Sequence, residues 1–231
     1  MPLIALWGLG NAALLLVAYL FGSIPTGYLL GRSLKGIDIR EYGSGSTGAT
    51  NVLRVVGKGA GATVLVVDML KGAMAIAIVK LAYQSGSVLL NWVPPEVAPT
   101  QWFSWIAVLA GLAVVLGHSK SVWLKFSGGK SVATGLGLLL ALNWQVGLLA
   151  FAVFGVVLAL SRIVSLSSIV SVSSVSVLMV ALHQPLAYIL LGLVGGSYVV
   201  IRHRTNIQRL WAGTEPRLGQ QHSDERLTPE G

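Results

Sequence analysis

The chain has 231 residues, 54% hydrophobic and only 10% charged, with 16 Lys and Arg against 8 Asp and Glu; apolar runs near twenty residues long exclude an ordinary soluble domain and point to an all-α membrane protein. The runs lack the ten-residue alternation of outer-membrane strands, which excludes a barrel, and the absence of cysteine excludes disulfides and thiolate chemistry. The net charge of +8 is spread over several loops rather than gathered beside aromatic platforms, so no nucleic-acid partner is expected and anionic headgroups or substrates fit better.

Hydropathy predicts seven transmembrane helices, at residues 5–30, 60–83, 102–118, 131–143, 145–160, 166–183 and 185–201. The first lacks the basic flank of a signal peptide and reads as a retained span. The fourth and fifth flank a polar break at Asn143, Trp144 and Gln145, and the fourth is short enough to be re-entrant. Alternation places 14 of the 16 basic residues on one side, the exceptions being Lys71 and Lys80 within the second span. By the positive-inside rule that side is cytoplasmic, which puts the N-terminus outside and the C-terminus inside. One catalytic domain is expected over residues 1–213, with cytoplasmic loops 31–59, 119–130, 161–168 and 202–215. Residues 84–101, with Pro94, Pro95 and Pro99, read as a plain connector, and residues 214–231 as a polar tail with a disordered end.

In chain order, the first inner loop contains Arg40, then Gly43-Ser44-Gly45-Ser46-Thr47-Gly48, Asn51 and Arg54. Its glycines let successive N–H groups turn inward as an anion nest, and the arginines offer bidentate charge to phosphate oxygens; otherwise it is a flexible linker with arginines on lipid headgroups. Asp68 and Lys71, three residues apart in the second span, can pair there, as a structural unit or in support of a site. The second inner loop runs from His118 to Gly128-Gly129-Lys130-Ser131. Its end places free N–H groups, a helix dipole and an ammonium together. A Walker A loop would need glycine where Leu124 stands, so ATP hydrolysis is disfavoured. Lys130 otherwise snorkels at a helix end, and His118 is as often structural as catalytic at such a position. Further on come Arg162, Ser165, Ser167 and Ser168, and then Arg202, His203, Arg204, Asn206 and Arg209. On a helix continuing from the last span, His203 and Asn206 share one face. The three arginines also fit a topology anchor, and many of the serines need only bond i−4 carbonyls.

These motifs, from Gly22-Ser23-Ile24-Pro25-Thr26-Gly27-Tyr28 through the Asn51 to Arg54 block, Gly-His followed by Gly-Gly-Lys, and Arg202 to Glu215, resemble the PlsY family of bacterial integral-membrane glycerol-3-phosphate acyltransferases. The resemblance implies seven transmembrane helices and transfer of a fatty acyl group from acyl phosphate to the sn-1 hydroxyl of glycerol 3-phosphate. The products are lysophosphatidic acid and inorganic phosphate, at the cytosolic face of the inner membrane. Carried over by motif, His203, Asn206 and Ser168 are the catalytic candidates. Arg40, Ser44, Gly45, Asn51, Arg54, Gly128, Gly129, Lys130, Ser165 and Glu215 are the substrate-binding ones. No cofactor or metal is implied; the partners are the two substrates, membrane lipid and an enzyme producing acyl phosphate. Ser46 departs from the family's Asn, and Lys120, Ser121, Ser127 and Ser131 depart from its usual second loop.

Acyl phosphate already carries a good leaving group, so such a site works mainly by positioning and charge stabilisation. Either His203 or the donor's phosphate takes the hydroxyl proton. None of the four histidines is followed by Asp five positions on, which disfavours the His-x4-Asp chemistry of thioester-dependent acyltransferases. The reading from another class is a small phosphate or glycerol 3-phosphate transporter. It would place polar sites near the midplane and show internal repeats, and no repeat is seen.

Overall fold

The computed structural model describes residues 2–84, 90–93 and 99–219. Most of the expected 84–101 connector and the end of the expected tail lie outside the described residues. The described residues form ten α-helices: α1 (Pro2–Ser23), α2 (Thr26–Lys35), α3 (Ala49–Val55), α4 (Lys58–Ala82), α5 (Pro99–Ser119), α6 (Val132–Leu142), α7 (Trp144–Ser161), α8 (Val164–Ala181), α9 (Leu186–Arg202) and α10 (Arg204–Trp211).

Each break has a local cause. The run expected over 5–30 divides at Ile24 and Pro25, because proline lacks an N–H and disfavours helical backbone in the residue before it. Gly57, at φ 133°, turns α3 into α4. Asn143 ends α6 in extended backbone and caps α7 by accepting from the Val146 N–H at 3.0 Å. At His203 the chain bends 62° from α9 into α10. Against the seven predicted spans, the described residues contain five helical stretches long and apolar enough to cross a bilayer, α1 with α2 counting as one, and a sixth if α9 and α10 count as one; α6 is a shorter apolar helix.

Glycine sets the closest helix crossings. A Cβ on Gly72 would fall on the Thr134 carbonyl and one on Gly137 on the Met69 carbonyl, so α4 and α6 meet backbone to backbone; Gly22 and Gly117 do the same for α1 and α5. Lipid is as apolar as leucine, so such close packing rather than hydrophobic burial drives association. Ile76, Val79, Val114, Val146 and Met179 fill the shared core, while Leu9, Leu160, Val177 and many other large apolar side chains face outward, as a bilayer requires.

The 11 residues of α6 span about 17 Å, against about 27 Å for the 18 of α7. At one end the two are aligned with their neighbours: Lys80 Nζ donates to the Ala141 carbonyl, and Asn143 Nδ2 to Gln184 Oε1 at 2.8 Å. The shortfall therefore lies at the other end. There Ser131 Oγ bonds the Val115 carbonyl at 2.8 Å and the Gly129 N–H the His118 carbonyl at 3.2 Å. The loop before α6 dips along the last turn of α5 and carries Lys130 below the helix ends.

Candidate functional site

At that end of the bundle four segments meet. Lys130 Nζ donates to Asn206 Oδ1 at 2.6 Å, and Asn206 Nδ2 donates to Glu215 Oε1 at 2.6 Å. The same carboxylate accepts from Ser165 Oγ and from Arg209 Nε, both at 2.7 Å. Burial raises the Glu215 pKa, but the bonds from Ser165, Asn206 and Arg209 outweigh it, and the carboxyl lies below its ordinary value. The helix does not continue straight as the i, i+3 reading assumed. The bend at His203 turns α10 so that Asn206 reaches Lys130.

Lys130 has a pKa lowered to about 8, chiefly by burial; Glu215 opposes the shift, and Arg209, Arg54 and Arg202 reinforce it. Arg54 is lowered by burial and feels Glu215 and Arg209. The cluster thus sets Lys130, Arg54, Arg202 and Arg209 against one carboxylate, which leaves room for further negative charge. Buried His203 lies within electrostatic reach of Lys130, Glu215 and Arg202. Its Nδ1 is 2.8 Å from the Val199 carbonyl. A carbonyl only accepts, so Nδ1 carries the proton and the neutral ring keeps an acceptor at Nε2.

A cleft of about 420 Å³ adjoins the cluster, lined by Arg40, Gly45, Lys120, Ser127, Gly128 and Arg202 among others. Arg202 Nη2 connects the two, reaching the carbonyls of Gly129 at 3.2 Å and Gly128 at 3.4 Å. Arg40 latches the first loop to the second. It pairs with Asp38 at 2.6 Å and donates to Ser127 Oγ at 3.0 Å, and that bond from Arg40 is the main cause holding Asp38 below its ordinary pKa.

Several sequence candidates take different parts from those expected. The first loop is not an open nest: the N–H groups of Ser44, Gly45 and Gly48 point to Asn51 Oδ1, the Tyr42 carbonyl and Ser46 Oγ. Asn51 is buried and spends its amide on the carbonyls of Ile39, Tyr42 and Ser46, so it holds the loop's shape. Ser44 remains exposed. Ser168 Oγ donates to the Val164 carbonyl one turn back at 2.8 Å, which leaves its oxygen able to accept. The expected tail begins inside the fold, with Glu215 buried and the Leu218 N–H on the Arg162 carbonyl at 2.7 Å. Sequence reasoning left Arg209 open between the cationic element and a topology anchor and did not name it among the binding residues. Its pairing with Glu215 depends on the left-handed turn at Gly213, φ 69°, which no helical spacing signals. Among the described residues no group of three His, Asp or Glu converges as a metal site would.

Fold and site together define a multi-pass helical membrane protein with a dense cationic, hydrogen-bonded site at one end of its bundle. Residues 12–213 match the family model described as glycerol-3-phosphate acyltransferase. The chain is 59% identical over 220 residues to a glycerol-3-phosphate acyltransferase of Trichormus variabilis, covering 95% of this chain and 97% of that protein. It is 62% identical over 208 residues to one of a Nostoc species, covering 90% and 92%. A crystal structure of PlsY, an integral membrane glycerol 3-phosphate acyltransferase in its glycerol 3-phosphate form, superposes with a TM-score of 0.78 at 36% identity, covering 91% of this chain and 96% of that one. The lysophosphatidic acid form gives 0.75 at 35% with the same coverage. The chain belongs to the glycerol-3-phosphate acyltransferase family.

Proposed function

We propose that this acyltransferase moves a fatty acyl group from acyl phosphate to the sn-1 hydroxyl of glycerol 3-phosphate, releasing inorganic phosphate and lysophosphatidic acid. The observation that carries this reading is the convergence of Lys130, Arg54, Arg202 and Arg209, with Asn206, around one carboxylate beside a neutral, buried His203. Four cations at partial burial suit a phosphate dianion, and the low local dielectric strengthens each contact. The solved relatives in glycerol 3-phosphate and lysophosphatidic acid forms support the acceptor and the product.

In the proposed step, the substrate hydroxyl oxygen attacks the acyl carbonyl carbon. The carbonyl–phosphate C–O bond breaks and phosphate leaves with the electron pair. His203 Nε2 accepts the hydroxyl proton. Phosphate is a good leaving group, so no strong acid is needed at departure, and positioning by Lys130, Asn206 and Arg54 provides most of the acceleration. The cleft between Gly45 and Gly128 accommodates the donor's headgroup, with Ser44, Ser165 and Ser168 as neutral hydrogen-bonding groups near the reacting centre, and the acyl chain lies among the helices.

Topology belongs to the same proposal. With α1 and α2 as one crossing and α4 to α9 as six more, the chain crosses seven times, with the N-terminus outside and the site on the cytoplasmic face of the inner membrane. This fits the far-side contacts of Lys80 and Asn143 and the near-side contacts of Lys130 and Ser165. An enzyme making acyl phosphate supplies the donor. The test is phosphate release by the purified protein in lipid, with acyl phosphate and with and without glycerol 3-phosphate. Phosphate release requiring both substrates is expected, with no lysophosphatidic acid formed when acyl-CoA replaces acyl phosphate; lysophosphatidic acid and free CoA formed from acyl-CoA and glycerol 3-phosphate would replace the donor assignment.

A further inference from the structure

Beneath the glycine pair lies a buried ionic group that the acyl transfer step does not use. Asp68 and Lys71 on α4 and His118 at the end of α5 are all nearly inaccessible, at 2%, 4% and 7%. Lys71 Nζ stands 2.8 Å from Asp68 Oδ1 and donates to the Ile24 carbonyl at 3.0 Å, at the break between α1 and α2. His118 Nδ1 faces the same Asp68 oxygen at 3.7 Å. The seam that these residues share with Pro25, Thr47 and Gly128 is too narrow for a water, so it is not a ligand site.

The other edge of the imidazole carries the loop. A Cβ on Gly129 would collide with His118 Nε2 and Cε1, so any side chain there must displace the ring. The Gly129 N–H bonds the His118 carbonyl, and the carbonyls of Gly128 and Gly129 accept from Arg202 on the opposite side. Gly129 is thus gripped between the ring of His118 and the guanidinium of Arg202, and the next residue is Lys130. Burying an ion pair in a membrane bundle gains little stability over apolar packing of the same volume, so stability alone is a weak reason for three ionisable groups at this depth.

We propose that His118, braced by Asp68 and Lys71, is a positioning residue that sets the height of Gly128, Gly129 and Lys130 over the phosphate site. It touches no substrate and acts through the loop. This inference rests on the reading of Lys130 as a phosphate ligand.

The test compares the wild-type protein in lipid with His118→Ala, His118→Gln, Lys130→Ala and the His118→Ala/Lys130→Ala double variant. The readouts are inorganic phosphate binding by calorimetry, steady-state acyl transfer and the thermal midpoint. His118→Ala is expected to weaken phosphate binding and raise KM about tenfold with kcat changed less than about threefold, and His118→Gln to recover part of the loss. On the Lys130→Ala background, removing His118 is expected to change binding less than about twofold, because the residue it positions is gone. Gly129→Ala is expected to mimic His118→Ala, and to do less harm once the imidazole is removed. Unchanged phosphate affinity in both His118 variants, or a fall in kcat and thermal midpoint with KM untouched, would overturn the proposal. A wild-type protein that binds phosphate but does not turn over acyl phosphate would fail the donor assignment and leave the binding comparison to decide the role of His118.

Discussion

At the residue scale, Lys130 concentrates the most consequence in one side chain. Removing a half-buried, hydrogen-bonded cation from a phosphate site typically costs about 2 kcal/mol, so Lys130→Ala is expected to lower kcat/KM for glycerol 3-phosphate about thirtyfold. The pH dependence follows from burial. An amine whose pKa is lowered from 10.5 to about 8 is charged below that value and loses its charge as pH rises through it. KM for glycerol 3-phosphate is therefore expected to climb above about pH 8 in a pH series, and Lys130→Arg to move that rise upward, since guanidinium stays charged. His203 makes a separate prediction. With Nδ1 tied to the Val199 carbonyl, Nε2 is its only free acceptor, and His203→Ala is expected to reduce kcat at least about a hundredfold. A loss of only a few-fold would hand the proton to the departing phosphate.

At the scale of elements, the site depends on helices ending in the right places. Glycine contacts hold α6 to α4, and the shortness of α6 lowers Lys130 toward Asn206. Gly137→Val places side-chain atoms on the Met69 carbonyl. Overpacking of this kind costs about 1–3 kcal/mol, and a fall of several degrees in thermal midpoint with reduced activity is expected. Glu215 binds the α10 side of the site to α8 through Asn206, Arg209 and Ser165. The bonds that hold α10 in place therefore converge on a residue beyond its end, and the 62° bend at His203 directs α10 toward them.

At the scale of the whole molecule, the distribution of charge predicts which end faces the cytoplasm. A chain without cysteine is a clean background for labelling. Lys58 and Trp144 are exposed at opposite ends of the bundle. In sealed inner-membrane vesicles with the cytoplasmic face outward, Lys58→Cys is expected to react with an impermeant maleimide and Trp144→Cys to react only after the vesicles are opened. The reverse pattern would invert the proposed orientation.

The sequence by itself determined the helical membrane class, the gathering of basic and glycine-rich segments on one side, and the family resemblance. Hydropathy, the positive-inside bias and motif order are all local or additive along the chain. It also named Lys130, Asn206 and Glu215, because residue type and position within a motif are visible without geometry. Only the tertiary structure decided that these three form one hydrogen-bonded chain, and that Asn51 and Arg40 spend their polar groups on the loops. It also decided that Arg209 bonds Glu215 and Arg202 the carbonyls of Gly128 and Gly129, and that His118 lies under the glycines. The physical reason is that such roles depend on which partner a donor meets in the fold, at separations from 6 residues for Arg209 and Glu215 to 87 for Arg40 and Ser127, and on bends at single residues. A polar side chain carries the same donors whether it meets a substrate or a neighbouring carbonyl, and only packing chooses between them.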